Sequence, residues 1–177
     1  EMIGRLVSFA GSGQWEDLGL DVPQPDNLDK AKMLVATNIE KKMALDMRLL
    51  GCKFKDDADN KASICARTIY DYYIRSNDNR GTQFVFSDLG TYKPNEWNIY
   101  TDIKEKLVRL GIPADEIQFI QCATTERTRK KLFEEMNNGK VRVLFGSTTM
   151  LGTGVNAQQR AVAVHHLEIP WVRHEVA

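Results

Sequence analysis

Hydrophobic and polar positions alternate along this chain with two periods, and the change between them marks its organisation. Residues 1–10 place Met2, Ile3, Leu6, Val7 and Phe9 on one side of a short amphipathic helix, which Gly11-Ser12-Gly13 ends. Trp15 to Asp29, with Pro23 and Pro25, reads as loop. The apolar run Met33 to Ile39 predicts an edge strand, and Lys41 to Leu50 returns to near-helical spacing through Met43, Ala44, Met47, Leu49 and Leu50. Lys53 to Lys61 is polar and acidic, a surface loop.

From Ala62 the pattern sharpens. Ile64, Ala66, Ile69, Tyr73 and Ile74 fit one helix face to about Arg75, and Asn77 to Gly81 is a turn. A β-rich run follows over Thr82–Ser87, then a helix over Ile99–Leu110 closed by Gly111 and Pro113. Ile117–Ile120 reads as strand. Thr125–Met136 reads as helix, opened by Thr124-Thr125 with Glu126 in its first turn. Val141–Phe145 is a third strand, Thr148–Asn156 a short helix or tight loop, and Ala161–Leu167 a fourth strand. Strands alternating with helices predict an α/β fold with a parallel sheet and right-handed crossovers. Residues 1–59 form an N-terminal extension of helix, loop and helix, and 60–177 form the α/β domain.

Parallel sheets of this kind place ligands at the carboxyl ends of their strands. That rule directs attention to Ser87-Asp88, Gln121 to Thr124, Gly146-Ser147-Thr148 and Glu168. The glycines at 152 and 154 permit close backbone approach and positive φ, Asn156 can donate and accept at once, and the hydroxyls at 147 and 148 sit where a strand ends and a helix begins. On composition alone a tight glycine turn accounts for the same residues.

Bulk properties narrow the function classes. No run approaches the ~18 apolar residues that span a membrane. Lys plus Arg and Asp plus Glu are 24 each, so net charge provides no overall attraction to nucleic acid, only room for a local phosphate-binding surface. Cys52, Cys65 and Cys122 have no metal-ligand or CxxC spacing and read as reduced thiols of a cytoplasmic protein. His165 and His166 are adjacent on a strand and point to opposite faces, a poor chelate, so no metal site is expected. Tyr70 and Tyr73 read as core. Trp171 reads as an anchor after Pro170 ahead of a stacking platform. Arg127, Arg129, Lys130 and Lys131 form a basic cluster that suits either a solvated face or phosphate contact.

Ser147-Thr148-x-x-x-Gly152-x-Gly154-x-Asn156 resembles motif V of Swi/Snf-type superfamily-two helicases. Phe84-Val85-Phe86-Ser87-Asp88 resembles motif IV, and Thr124-Thr125 with Arg129 resembles the segment after the second strand. His165 to Trp171 resembles the family's strand ending in an acidic-x-Pro-Trp step. The resemblance covers about residues 60–171 and is nearest to the helicase-like half of large bacterial DNA methylase–helicase proteins.

It implies a RecA-like (P-loop NTPase-like) three-layer α/β/α domain, the second motor lobe of an ATP-dependent DNA helicase or translocase. Ser87, Thr124, Ser147, Thr148 and Arg129 would then face the nucleic-acid backbone, and Gly152, Gly154 and Asn156 the ATP cleft. The implied partners are DNA, most simply duplex, a first RecA-like lobe in the same parent chain, and a methyltransferase domain in that parent. ATP and Mg²⁺ would belong to the parent, with neither bound by this fragment. The phosphate-loop Lys and the acidic Asp-Glu-x-x box are lacking, and the chain stops where the arginine-finger motif VI begins. The expectation is therefore a piece that hydrolyses no ATP alone and associates weakly through its uncovered face. A degenerate RecA-like clamp or assembly module is the alternative. A small-molecule α/β enzyme such as a methyltransferase fits less well, because the glycines follow the third strand rather than the first.

Overall fold

A computed structural model describes residues 1–21, 24, 28–152 and 155–168, with side chains at 28–31 excepted. The chain divides into two compact units, Glu1–Asn60 and Lys61–Ala177.

The first unit is helical. Helix α1 (Met2–Ser12) ends on Gly13 in the left-handed region, and a 3-10 turn covers Trp15–Leu18. Helix α2 (Leu28–Leu45) leads into a second 3-10 turn at Met47–Leu50. Phe9, Leu18, Ala36, Ile39 and Leu50 make the core, and the Trp15 ring meets Phe9 edge-on at 5.9 Å. The edge strand expected at Met33–Ile39 is helical instead. Ala36 and Ile39, three residues apart, turn inward together, while Met33 and Leu34 face solvent, a helical division of the run rather than an alternating one. Buried Asp46 caps the second 3-10 turn through the Arg48 N–H (2.8 Å), pairs with the Arg48 guanidinium (2.6 Å) and accepts from Asn60 Nδ2 (2.8 Å). Arg48 also reaches Asp56 at 2.8 Å, so the acidic loop is stapled to the helices rather than merely solvated.

The second unit contains α3 (Lys61–Arg75), β1 (Thr82–Phe86), α4 (Ile99–Leu110), β2 (Ile117–Phe119), α5 (Glu126–Asn137), β3 (Val143–Gly146), α6 (Thr148–Leu151) and β4 (Ala161–His166). The sheet order is β2-β3-β1-β4 and every pairing is parallel. Phe84 and Leu144 point to a face packed by Leu132 and Met136 of α5 and Leu151 of α6. The alternate residue Phe145 joins Tyr100 of α4 and Phe119 on the opposite face, at ring distances of 5.4 and 5.5 Å. Helix α3 lies on that second face, where the Ile69 carbonyl accepts from Gln83 Nε2 at 2.9 Å. This is a RecA-like three-layer α/β/α arrangement, and it explains why the apolar residues of β1 and β3 are buried on both sides of the sheet: both faces are covered. Local chemistry sets the helix ends. Asn98 caps α4 through the Thr101 N–H (2.9 Å), Gly111 closes it at φ 109, and Thr125 and Thr128 form a reciprocal capping box on α5.

Arg142, immediately before β3, is fully buried. Its guanidinium donates to the carbonyls of Gly81 (2.5 Å), Tyr73 (3.1 Å) and Ser76 (3.4 Å), and lies 4.3 Å from the Tyr73 ring centre. It therefore caps the carboxyl end of α3 from inside the core.

Candidate functional site at the carboxyl ends of the strands

All four strands are parallel, so the residues that follow them emerge along one edge of the sheet. Two carboxylates organise that edge. Glu168, just past β4, accepts from Ser87 Oγ (3.0 Å), from the Leu89 N–H (2.9 Å) and from the Asp88 N–H. The Asp88 side chain in turn accepts from the Thr148 N–H and from Thr148 Oγ1, both at 2.8 Å. Tyr100 donates its hydroxyl to the Ser87 carbonyl at 2.6 Å. The ends of β1, β3 and β4 thus form one hydrogen-bonded chain running Glu168, the loop after β1, Asp88, Thr148.

Burial raises the Glu168 carboxyl above its ordinary range, and the neighbouring Asp88 charge adds to this. The two backbone N–H groups and the Ser87 hydroxyl pull it partly back. Burial also pushes the Tyr100 phenol up, with Glu168 and Asp88 contributing, so it stays a neutral donor. Gln121, at the end of the β2 segment, has its Oε1 buried without a hydrogen-bond partner.

The residues singled out from the sequence fall into three places. Ser87, Ser147 and Thr148 come together at the strand ends, joined through the Ser87 N–H on the Gly146 carbonyl (3.1 Å). Both donors of buried Thr148 are committed to Asp88, whereas the Ser147 hydroxyl makes no hydrogen bond among the described residues. Thr124 is exposed just before the α5 cap, and half-buried Arg129 lies on the first turn of that helix beside exposed Arg127 and Lys130. Asn156 lies elsewhere. Its carbonyl accepts from Asn137 Nδ2 at 2.8 Å, at the last residue of α5, so the loop has run back toward the opposite end of the sheet. Gly152 adopts φ −73 rather than a positive φ, and its role is close approach: a Cβ there collides with the Thr148 carbonyl. Gly154 and the Ile169-Pro170-Trp171 step lie outside the described residues.

Asp88, Glu168 and Tyr100 carry the connectivity of this edge and were not assigned roles from the sequence. The available signal was an acidic residue directly after each of two strands. His165 and His166 turn to opposite faces of β4. His165 Nε2 lies 2.8 Å from Gln83 Oε1, while the His166 ring stacks on Phe86 at 5.0 Å on the other face. Burial, then the charge of His166, depresses His165 to about 4. Burial lifts the Cys65 thiol to about 12, which leaves it unreactive at neutral pH.

Neither a protein-family model nor a curated protein matches this chain. Among the described residues, no helix is long and apolar enough to cross a membrane.

Proposed function

We propose that this chain is the second RecA-like lobe of a cytoplasmic ATP-dependent DNA helicase or translocase, acting with a first lobe that supplies the phosphate loop. The observation that carries the reading is the convergence of Ser87, Ser147 and Thr148 on the carboxyl edge of a parallel sheet, beside an α5 amino end that presents Thr124, Arg127, Arg129 and Lys130. A phosphate backbone along this edge would meet the Ser147 hydroxyl and the basic first turns of α5. Coulomb attraction from α5 would offset the negative charge of Asp88. Asn156 fits a nucleotide contact through its exposed side chain, since its bond to Asn137 uses only the backbone. The chain's own residues position and neutralise phosphate oxygens, while hydrolysis of ATP falls to groups of the first lobe.

One observation favours a second reading, a non-catalytic clamp. Asp88 holds both Thr148 donors, so the motif V hydroxyl is engaged within the protein. Fluorescence anisotropy of a labelled DNA duplex at low salt tests the proposal. Binding that weakens with salt, and that falls several-fold in Arg129→Ala and Ser147→Ala, supports a nucleic-acid lobe. Absence of salt-dependent binding removes both readings. ATPase measured with a first lobe supplied then separates motor from clamp.

A further inference from the structure

Three hydroxyl side chains meet at the carboxyl edge of the sheet, and two of them are spent inside the protein. Ser87 Oγ lies 2.7 Å from the Leu89 carbonyl and 3.0 Å from Glu168 Oε2, so its one proton already has two internal acceptors. Thr148 is buried and its Oγ1 donates to Asp88 at 2.8 Å. Ser147 differs. A serine at a helix N-cap ordinarily turns its hydroxyl oxygen onto an N–H of the first turn. Ser147 is the N-cap of α6 and makes no such bond. A carboxylate from another strand end, Asp88, takes the first N–H of α6 instead, at 2.8 Å from the Thr148 nitrogen.

Asp88 is aimed at α6 because its own backbone is held. Glu168 accepts the Asp88 and Leu89 N–H groups as well as Ser87 Oγ. Fully buried Tyr100 donates to the Ser87 carbonyl at 2.6 Å, and the Ser87 N–H reaches the Gly146 carbonyl at 3.1 Å. The turn after β1 is therefore fixed at residues 87, 88 and 89. Glu168 makes no hydrogen bond to Ser147 or Thr148 among the described residues, so any effect it has on α6 passes through Asp88.

We propose, on the reading of this chain as a nucleic-acid lobe, that Asp88 and Glu168 are positioning residues: they cap α6 from outside, so that the Ser147 hydroxyl, relieved of capping, faces a backbone phosphate of the bound DNA. Charge alone predicts the opposite effect. A carboxylate close to a phosphate repels it, so neutralising either residue would tighten binding. Positioning depends on the acceptor and not on the charge. Without an acceptor at 88, the Ser147 oxygen turns inward onto the freed N–H groups of α6 and is lost to the phosphate. Without one at 168, the turn after β1 is released and Asp88 no longer holds the Thr148 donors.

Fluorescence anisotropy of a labelled DNA duplex over a salt series tests this, on variants whose melting is measured first. Asp88→Ala and Glu168→Ala are expected to weaken binding several-fold, as Ser147→Ala does. The slope of affinity against salt stays as in wild type, because no cation is lost. Asp88→Asn removes the same charge but keeps an acceptor for the Thr148 N–H, and is expected to bind as wild type or tighter. The double variant Ser147→Ala with Asp88→Ala is expected to bind no worse than Ser147→Ala alone, since both act on one contact. Glu168→Ala leaves the Asp88 side chain intact and decides the matter if Asp88→Ala melts early. Wild-type or tighter binding in the alanine variants overturns the proposal. So do Asp88→Ala and Asp88→Asn variants that behave alike, and losses that add in the double variant. Each of these, with salt-dependent binding by wild type, leaves the nucleic-acid reading standing. A wild type without salt-dependent binding removes both.

Discussion

Replacing Arg142 tests whether a buried cation can serve as a helix cap inside this core. In Arg142→Met a side chain of similar reach fills the space, but the carbonyls of Gly81 and Tyr73 lose the guanidinium donor, and that of Ser76 loses one of two donors. The Ser76 carbonyl keeps the Gly81 N–H at 3.0 Å; a buried carbonyl left without a partner costs ~1–3 kcal/mol, so the other two amount to ~2–6 kcal/mol. Relief of the guanidinium's own desolvation returns ~1–2 kcal/mol, as replacements of buried charges by apolar groups show. The net expectation is a loss of about 3 kcal/mol, a large share of the ~5–15 kcal/mol that stabilises an ordinary domain. At ~4 °C per kcal/mol for a unit of this size, the melting point falls by ~12 °C. Arg142→Lys retains a charge but not the planar fork that reaches several carbonyls, and is expected to lose about half as much. Urea denaturation followed by far-UV circular dichroism measures both. An Arg142→Met protein within ~0.5 kcal/mol of wild type would refute the reasoning, because hydration of the cation would then balance all of its internal hydrogen bonds.

The remaining predictions concern single sites. His165 is held neutral at about 4, against about 6.5 in the unfolded chain, so its contribution to stability is complete above pH 6.5 and is lost as pH falls toward 4. The ceiling is ~3 kcal/mol, reduced to ~1–2 because the ring is partly solvated. A His165→Gln variant is expected to show a shallower loss of stability between pH 7 and 4, and an unchanged slope counts against it. Gly81→Ala brings a Cβ to 2.6 Å from Ser76 Cβ and 2.7 Å from Val162 Cγ1, and is expected to cost ~1–3 kcal/mol by thermal melting. Thr125→Ala removes the acceptor of the α5 capping box and is expected to cost ~1 kcal/mol, with faster hydrogen exchange at the Thr128 amide. Asp88→Ala leaves both donors of Thr148 without their acceptor. Faster amide exchange across Thr148–Gly152 is expected, and unchanged exchange there would mean that packing of Leu151 alone holds α6.

The second unit was legible in the sequence because its signals are local and repeated. A β-rich run at 82–86, an apolar run at 143–145, the cap at Thr125 and glycine at 111 specify strands and helices within one or two residues. Alternating strands and helices imply a parallel sheet, and the parallel sheet implies which loops gather at one edge. Sequence therefore determined the neighbourhood of Ser87, Ser147 and Thr148 before any coordinate. It misjudged Met33–Ile39, because a short apolar run reads alike in a strand and in a helix, and only packing of Ala36 and Ile39 into a helical core separates the two. Tertiary structure alone decided the insertion of β3 between β1 and β2. Through that order it decided that Asp88, after one strand, takes both donors of Thr148, after another 60 residues on. It also brought the Asn156 carbonyl to Asn137 at the end of α5, a contact no local spacing encodes. Spacing along a chain records which residues are near in sequence. Hydrogen bonds between strand ends depend on strand order and crossover paths, which no local pattern encodes.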